Sequence, residues 1–126
     1  MDSDPKPVEW IGSSRKDLRE FPRETRLIVG AALYTAQLGG KHEDAKPLKG
    51  FGGASVLEII DDFDGDTYRA VYTVRFAEAV YVLHCFQKKS KSGRSTPRLE
   101  LDMIERRLKA AEEKHREWIE ETKKKS

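Results

Sequence analysis

The sequence predicts an α+β fold: a small antiparallel β-meander sheet with two N-terminal helices packed on it and a C-terminal helix. Three observations lead there. Apolar, β-branched and aromatic runs at 56–60, 68–72 and 80–89 follow one another with short breaks, as in an antiparallel meander. Ahead of them, Leu27, Ala31, Tyr34 and Leu38 recur at helical spacing. Behind them, Leu101, Ile104, Leu108 and Ala111 draw one apolar stripe on a last helix.

In chain order, residues 1–6 are polar and read as loose. Pro7 to Ile11 reads as a short strand stopped by Gly12. Ser14 with Asp17 resembles a capping pair for a short helix over 15–21. Pro22 ends it and opens the next helix, 24–38, whose stripe is flanked by Ile28 and Ala32. Gly39-Gly40 stops it, and Gly30 weakens it. Residues 39–55 carry no periodic pattern and read as a long functional or mobile loop. Asp64-Gly65 is a strong hairpin turn. The second turn, near Ala77-Glu78, has poor turn chemistry. Thr96 can cap the last helix and Pro97 can open it. Residues 113–126 read as a charged helical tail, with Trp118 and Ile119 its apolar members. The whole chain, 1–126, reads as one domain without internal repeats.

Net charge is only +2, so no global basic field points to a nucleic acid. Its distribution says more. Lys88, Lys89, Lys91, Arg94 and Arg98 run without an intervening acid, while Asp61, Asp62, Asp64 and Asp66 gather at the hairpin tip. A local basic patch can hold phosphates at low net charge. The single cysteine, Cys85, lies in an apolar run and reads as a buried thiol in a reducing compartment. No run reaches membrane-spanning length, and the acidic, proline-containing start is no signal peptide. The expectation is a soluble, cytoplasmic protein. His, Cys and the acids show no metal-ligand spacing, and nothing calls for a small-molecule cofactor.

Side-chain parity limits which residues can meet. Tyr68, Ala70, Tyr72 and Val74 share one face of the middle strand; Arg69, Val71, Thr73 and Arg75 share the other. The Arg69 face is the more polar and is expected to look outward, away from the helices. With Leu57 and Ile59 inward, Glu58 is outward too. His84 shares a face with Val82, Phe86 and Lys88, and Lys89 takes the opposite one. His42 and His115 are expected to be solvated and unrelated to any site.

At these residues the chain resembles the RelE/ParE toxin superfamily, and more closely its HigB-like, phage-derived Gp49-like branch. The pieces are Lys46-Pro47-Leu48-Lys49-Gly50, Leu57-Glu58-Ile59, Tyr68-Arg69 with Tyr72, Leu83-His84 to Phe86, Lys88-Lys89, and Thr96-Pro97. They fall in order and at family spacing across about residues 7–112. The resemblance implies a type II toxin that cuts mRNA at the ribosome without metal. Its implied partner is a helix-turn-helix antitoxin of the XRE type. Carried over by position, Arg69 would face the scissile phosphate. Lys88 and Lys89 would supply a basic strand end, Lys46 and Lys49 a basic loop, and His84 a frequent histidine. Many relatives have an arginine after the first-strand triplet; here it is Ile60. That departure leaves a non-catalytic toxin of the gyrase-inhibiting kind, or an inactive regulatory partner, as the alternative.

RNA carries its own nucleophile, the 2′-hydroxyl, so metal-free cleavage needs a base, fixed positive charge and an acid. Arg69 suits the charge because its fork can hold two phosphate oxygens. His84 or Glu58 could be the base, His84 the better for titrating near neutrality. Lys46, Lys49, Arg75, Lys91 and Arg94 are the candidate RNA contacts. Two plainer readings stay open: Arg69 pairing with Glu58 across strands, and His84 as a hydrogen-bonded core residue.

Overall fold

The structure is a computed structural model, and residues 4–88 and 96–125 are described. Its elements are β1 (Val8–Trp10), α1 (Ser14–Arg19), α2 (Arg23–Gln37), β2 (Lys46–Pro47), β3 (Val56–Phe63), β4 (Asp66–Thr73), β5 (Val80–Lys88) and α3 (Arg98–Lys125). The meander is present as β3-β4-β5, each pair antiparallel. At its first turn Asp64 and Gly65 both take positive φ, 54° and 86°, as a tight two-residue hairpin requires.

The sheet is wider than the meander. Its order is β1-β5-β4-β3-β2, with β1 parallel to β5 and β2 antiparallel to β3. The loop expected to be patternless therefore contributes an edge strand. That strand pairs Lys46 with Glu58 and Pro47 with Leu57. Two residues are too few for a periodic signal, and a proline is tolerated at an edge.

The sheet separates two cores. On one face, Phe21 and the α2 residues Val29, Ala32, Leu33 and Ala36 pack on Leu57, Ile59, Ala70, Tyr72, Val82 and Cys85. On the other, Ile104, Leu108 and Ala111 of α3 pack on Val56, Val71, Tyr81, Leu83 and Phe86. Cys85 is buried as expected, and burial pushes its thiol up to about 12.

Two apolar patterns come out differently. The α2 stripe Leu27, Ala31, Tyr34 and Leu38 is exposed; the helix buries Thr25, Val29, Ala32, Leu33 and Ala36 instead. The helix turns its Val29, Ala32, Leu33 and Ala36 face to the sheet, and Leu27, Tyr34 and Leu38 are left outside. On α3 the stripe runs further than expected. His115, expected to be solvated, is buried. Its Nε2–H donates to Glu78 Oε1 at 2.7 Å and its Nδ1 accepts from the Tyr81 hydroxyl at 3.0 Å. Phe76 and Trp118 close over the ring. His115 continues the spacing of Leu108 and Ala111, which is why it faces the sheet.

Two outcomes follow. A Cβ at Gly30 would meet nothing within 4 Å. Gly30→Ala is therefore expected to stabilise the protein by about 0.5–1 kcal/mol, read from urea unfolding. Glu78 is held below the ordinary carboxylate value of 4.5, chiefly by its hydrogen bond to His115. A lowered folded-state pKa adds stability above the unfolded value, and that stability is lost as pH falls through the folded one. Wild type should therefore melt above Glu78→Gln at pH 7, and the gap should close below the ordinary carboxylate range.

Candidate functional site

The α3 side of the sheet brings charged residues together through register. Ile60, Arg69 and Phe86 lie in one row across β3, β4 and β5, and Glu58, Val71 and His84 in the next. Strand spacing then puts Glu58 and His84 about 10 Å apart, on either side of the β4 strand that carries Arg69.

A bulge decides where His84 points. Val71 pairs with His84, but Tyr72 pairs with Val82, so Leu83 is the extra residue. Parity flips there. Val82 lies in the core under α2, whereas Leu83 and Phe86 lie in the core under α3. His84 therefore shares a face with Phe86, its ring stacked on it at 4.8 Å, and not with Val82 as simple alternation predicts.

Arg69 is buried, with 1% of its surface exposed, and does not look outward to solvent. Its face is turned from α1 and α2, as parity predicts, but the start of α3 covers it. Its Nη1 donates to Glu58 Oε2 at 3.3 Å and to the Thr96 hydroxyl at 3.0 Å. Thr96 in turn donates to the same Glu58 oxygen at 2.9 Å. Glu58, also expected to be outward and solvated, is buried on this face for the same reason. Thr96, read as a helix cap, spends its hydroxyl on this cluster.

Above the cluster opens a cavity of about 950 Å³, lined by Asp44, Lys46, Pro47, Leu48, Lys49, Glu58, Ile60, Thr96 and Leu101. Its rim carries the exposed Lys46 and Lys49, and its wall carries the Glu58 carboxylate. Ile60 makes that wall apolar.

His84 belongs to a different hollow, about 360 Å³, with Asp17, Glu20, Phe21, Tyr68 and Glu100. Its Nε2 lies 2.6 Å from Glu100 Oε1, and Arg107 Nη1 approaches its Nδ1 at 3.2 Å. A guanidinium has only donors, so Nδ1 accepts and the ring proton sits on Nε2, directed at Glu100. Arg107 also donates to Leu83 O at 3.0 Å and to the Ser13 hydroxyl at 3.2 Å. It thereby ties α3 to the bulge and to the start of α1. Gly12, at φ 57°, lies under the same guanidinium; a Cβ there would approach it to 2.9 Å. Sequence reading missed Arg107. Its signal was its position three after Ile104 and four before Ala111, on the buried side of α3.

The remaining candidates lie apart. Lys88 is half-buried at the end of β5, opposite Thr67. Arg75 lies beyond the other end of β4, where its Nη1 donates to Glu112 Oε2 at 2.6 Å. Lys89, Lys91 and Arg94 lie outside the described residues. Among the described residues, no helix is long and apolar enough to cross a membrane.

Residues 16–109 match the family model of the phage-derived Gp49-like proteins. The chain belongs to that family. It is the branch that the sequence motifs resemble, and the Gp49-like match spans both faces of the sheet, from α1 into α3. Two solved structures are similar to this Gp49-like chain. A mutant of the Escherichia coli toxin RelE in the free state has 18% identity and a TM-score of 0.49, covering 65% of this chain and 82% of that one. The toxin–antitoxin complex RelBE2 of Mycobacterium tuberculosis has 18% identity and a TM-score of 0.45, covering 71% and 100%. No protein of curated function matches.

The buried pair generates a stability prediction. Removing one partner leaves a desolvated charge behind, so Arg69→Ala should lose on the order of 3 kcal/mol in chemical denaturation. A surface arginine would lose within about 0.5 kcal/mol. Replacing both charges with apolar residues, R69M with E58L, should recover most of the loss.

Proposed function

We propose that this Gp49-like protein is the toxin of a toxin–antitoxin pair and that it cleaves mRNA, using the RNA 2′-hydroxyl as nucleophile. The observation that carries the reading is one cavity with a basic rim and a fixed carboxylate in its wall. Lys46 and Lys49 would hold the phosphate and offset the charge that builds on it. Glu58 is the base this cavity offers. Its Oε2 is held by Thr96 and Arg69, which fixes the direction of the carboxyl group. Arg69 then acts through Glu58 as a positioning residue, since it is buried beneath the cavity. His84 spends its ring N–H on Glu100 and its Nδ1 on Arg107 in the neighbouring hollow, so it is assigned no proton transfer at the Glu58 cavity. The ribosome would present the mRNA, and the partner would be a helix-turn-helix antitoxin that covers the basic rim.

One observation favours a second reading. Among the described residues, the apolar Ile60 wall and the burial of Arg69 leave Lys46 and Lys49 as the cations lining the cavity. A toxin that acts by protein contact alone would have no need of more.

Expression without a partner should stop growth through loss of translation. The purified chain should leave 2′,3′-cyclic or 3′-phosphate ends on RNA, in the presence of a chelator. K46A with K49A should cut at least about tenfold more slowly while melting like wild type, because both lysines are exposed. Growth arrest with intact mRNA would favour the contact-only toxin, and normal growth at high expression would remove both readings.

A further inference from the structure

The groups that line the Lys46/Lys49 cavity stand in a particular order. β2 pairs Lys46 with Glu58, so their side chains leave neighbouring strands side by side, Cβ atoms about 5 Å apart. Ile60 follows Glu58 by two residues on the same face of β3, about 7 Å along the strand. All three line the cavity. Across it they run cation, carboxylate, apolar surface.

Each of the three is available to a ligand. Lys46 and Lys49 are exposed, and neither forms an ion pair among the described residues. Asp44, the other acid of the lining, is 62% exposed at its side chain and lies 3.9 Å from His42 Nδ1. Glu58 gives its Oε2 to Arg69 and Thr96, which leaves Oε1 to the cavity. Ile60 is half-buried and belongs to neither core. Leu101 comes from the first turns of α3, the layer above the sheet, and lines the same space. An apolar side chain from the sheet and another from the helix leave between them a slot suited to a flat ring.

A ribonucleotide carries three such groups in the same order. Its phosphate is on C3′, its hydroxyl on C2′ and its base on C1′, successive carbons of one sugar. With the phosphate at Lys46 and Lys49 and the 2′-hydroxyl at Glu58 Oε1, the base falls on Ile60 and Leu101. The nucleotide on the other side of the phosphate is joined through its 5′ oxygen and offers no such sequence.

We propose that the cavity holds one ribonucleotide, the one on the 5′ side of the cut, with its base drawn out of the RNA stack and laid between Ile60 and Leu101. The inference rests on the RNA-cleaving reading of this cavity and adds which nucleotide is held, and by what. A paired base cannot enter, so the RNA is single-stranded there. Purines bury more apolar area than pyrimidines and are favoured.

The test uses the full chain with 3′-AMP, 3′-UMP and inorganic phosphate, and follows backbone amide shifts. 3′-AMP should shift Lys46, Lys49, Glu58, Ile60 and Leu101 and bind at least about tenfold more tightly than phosphate, with 3′-UMP between the two. I60N should weaken 3′-AMP at least about fivefold and leave phosphate binding and the melting temperature unchanged, since Ile60 is outside both cores. Equal affinity for 3′-AMP and phosphate, shifts that omit Ile60 and Leu101, 3′-AMP binding untouched by I60N, or binding of none of the probes would overturn the proposal. An RNA with one abasic ribonucleotide separates the seat from the reading beneath it. Cutting after the abasic residue as fast as after adenosine would remove the seat and keep the nuclease. Tight 3′-AMP binding at these residues without any RNA cutting would keep the seat and remove the nuclease.

Discussion

The ion pair of Arg69 with Glu58 sets the terms for everything on the α3 side of the sheet. Two charges taken out of water cost several kcal/mol each, and only close hydrogen bonding offsets that. Arg69 has few choices. It is on the central strand, enclosed by β3 and β5, with the start of α3 above it. Thr96 completes the arrangement by lying between the guanidinium and the carboxylate and bonding both. The need to satisfy the pair therefore fixes the entry of α3, and that entry forms one wall of the large cavity. The same bonds turn Glu58 from a mobile surface acid into an oriented one.

A second set of contacts, centred on Arg107, holds the middle of α3. A bulge leaves backbone groups out of the ladder, and the Leu83 carbonyl at this one is taken by the guanidinium. The same nitrogen meets His84, whose other nitrogen meets Glu100. One arginine thus satisfies the irregular strand, orients the histidine that the bulge re-aims, and reaches Ser13 at the start of α1. Further along, His115 holds the helix to Tyr81 and Glu78. α3 is fastened at three levels by polar groups whose hydrogen bonds are directional, with Ile104, Leu108 and Ala111 filling the spaces between them.

The sheet divides the protein's surfaces as it divides its cores. On the α3 side stand the cavity, its lysine rim and the buried charges. On the α2 side stand the exposed Leu27, Tyr34 and Leu38. Tyr72, under α2, is a reminder that satisfaction is not uniform. Its hydroxyl is buried with no hydrogen-bond partner among the described residues, and burial raises it to about 12. No functional group meets it there. The directional polar contacts are concentrated on the other face, where the chemistry is proposed.

The sequence by itself determined the helices, the first strand and the three meander strands in their order, though not the edge strand β2, together with the Asp64-Gly65 turn and the parity that separates Ala70 and Tyr72 from Arg69 and Val71. These depend on neighbours in the chain, which the sequence displays. It also carried the motifs that resemble the Gp49-like family. Tertiary structure decided the rest. Solvent exposure of Arg69 and Glu58 could not be read from alternation, because alternation says which face a residue is on, not whether another element covers that face. The start of α3, a separate element later in the chain, covers it. The direction of His84 turned on one bulge residue, which no local pattern announced. The α2 stripe looked like core because it is apolar, yet the helix packs the neighbouring face, Val29, Ala32, Leu33 and Ala36, on the sheet. Burial is a property of two surfaces meeting, and a single sequence pattern describes only one of them.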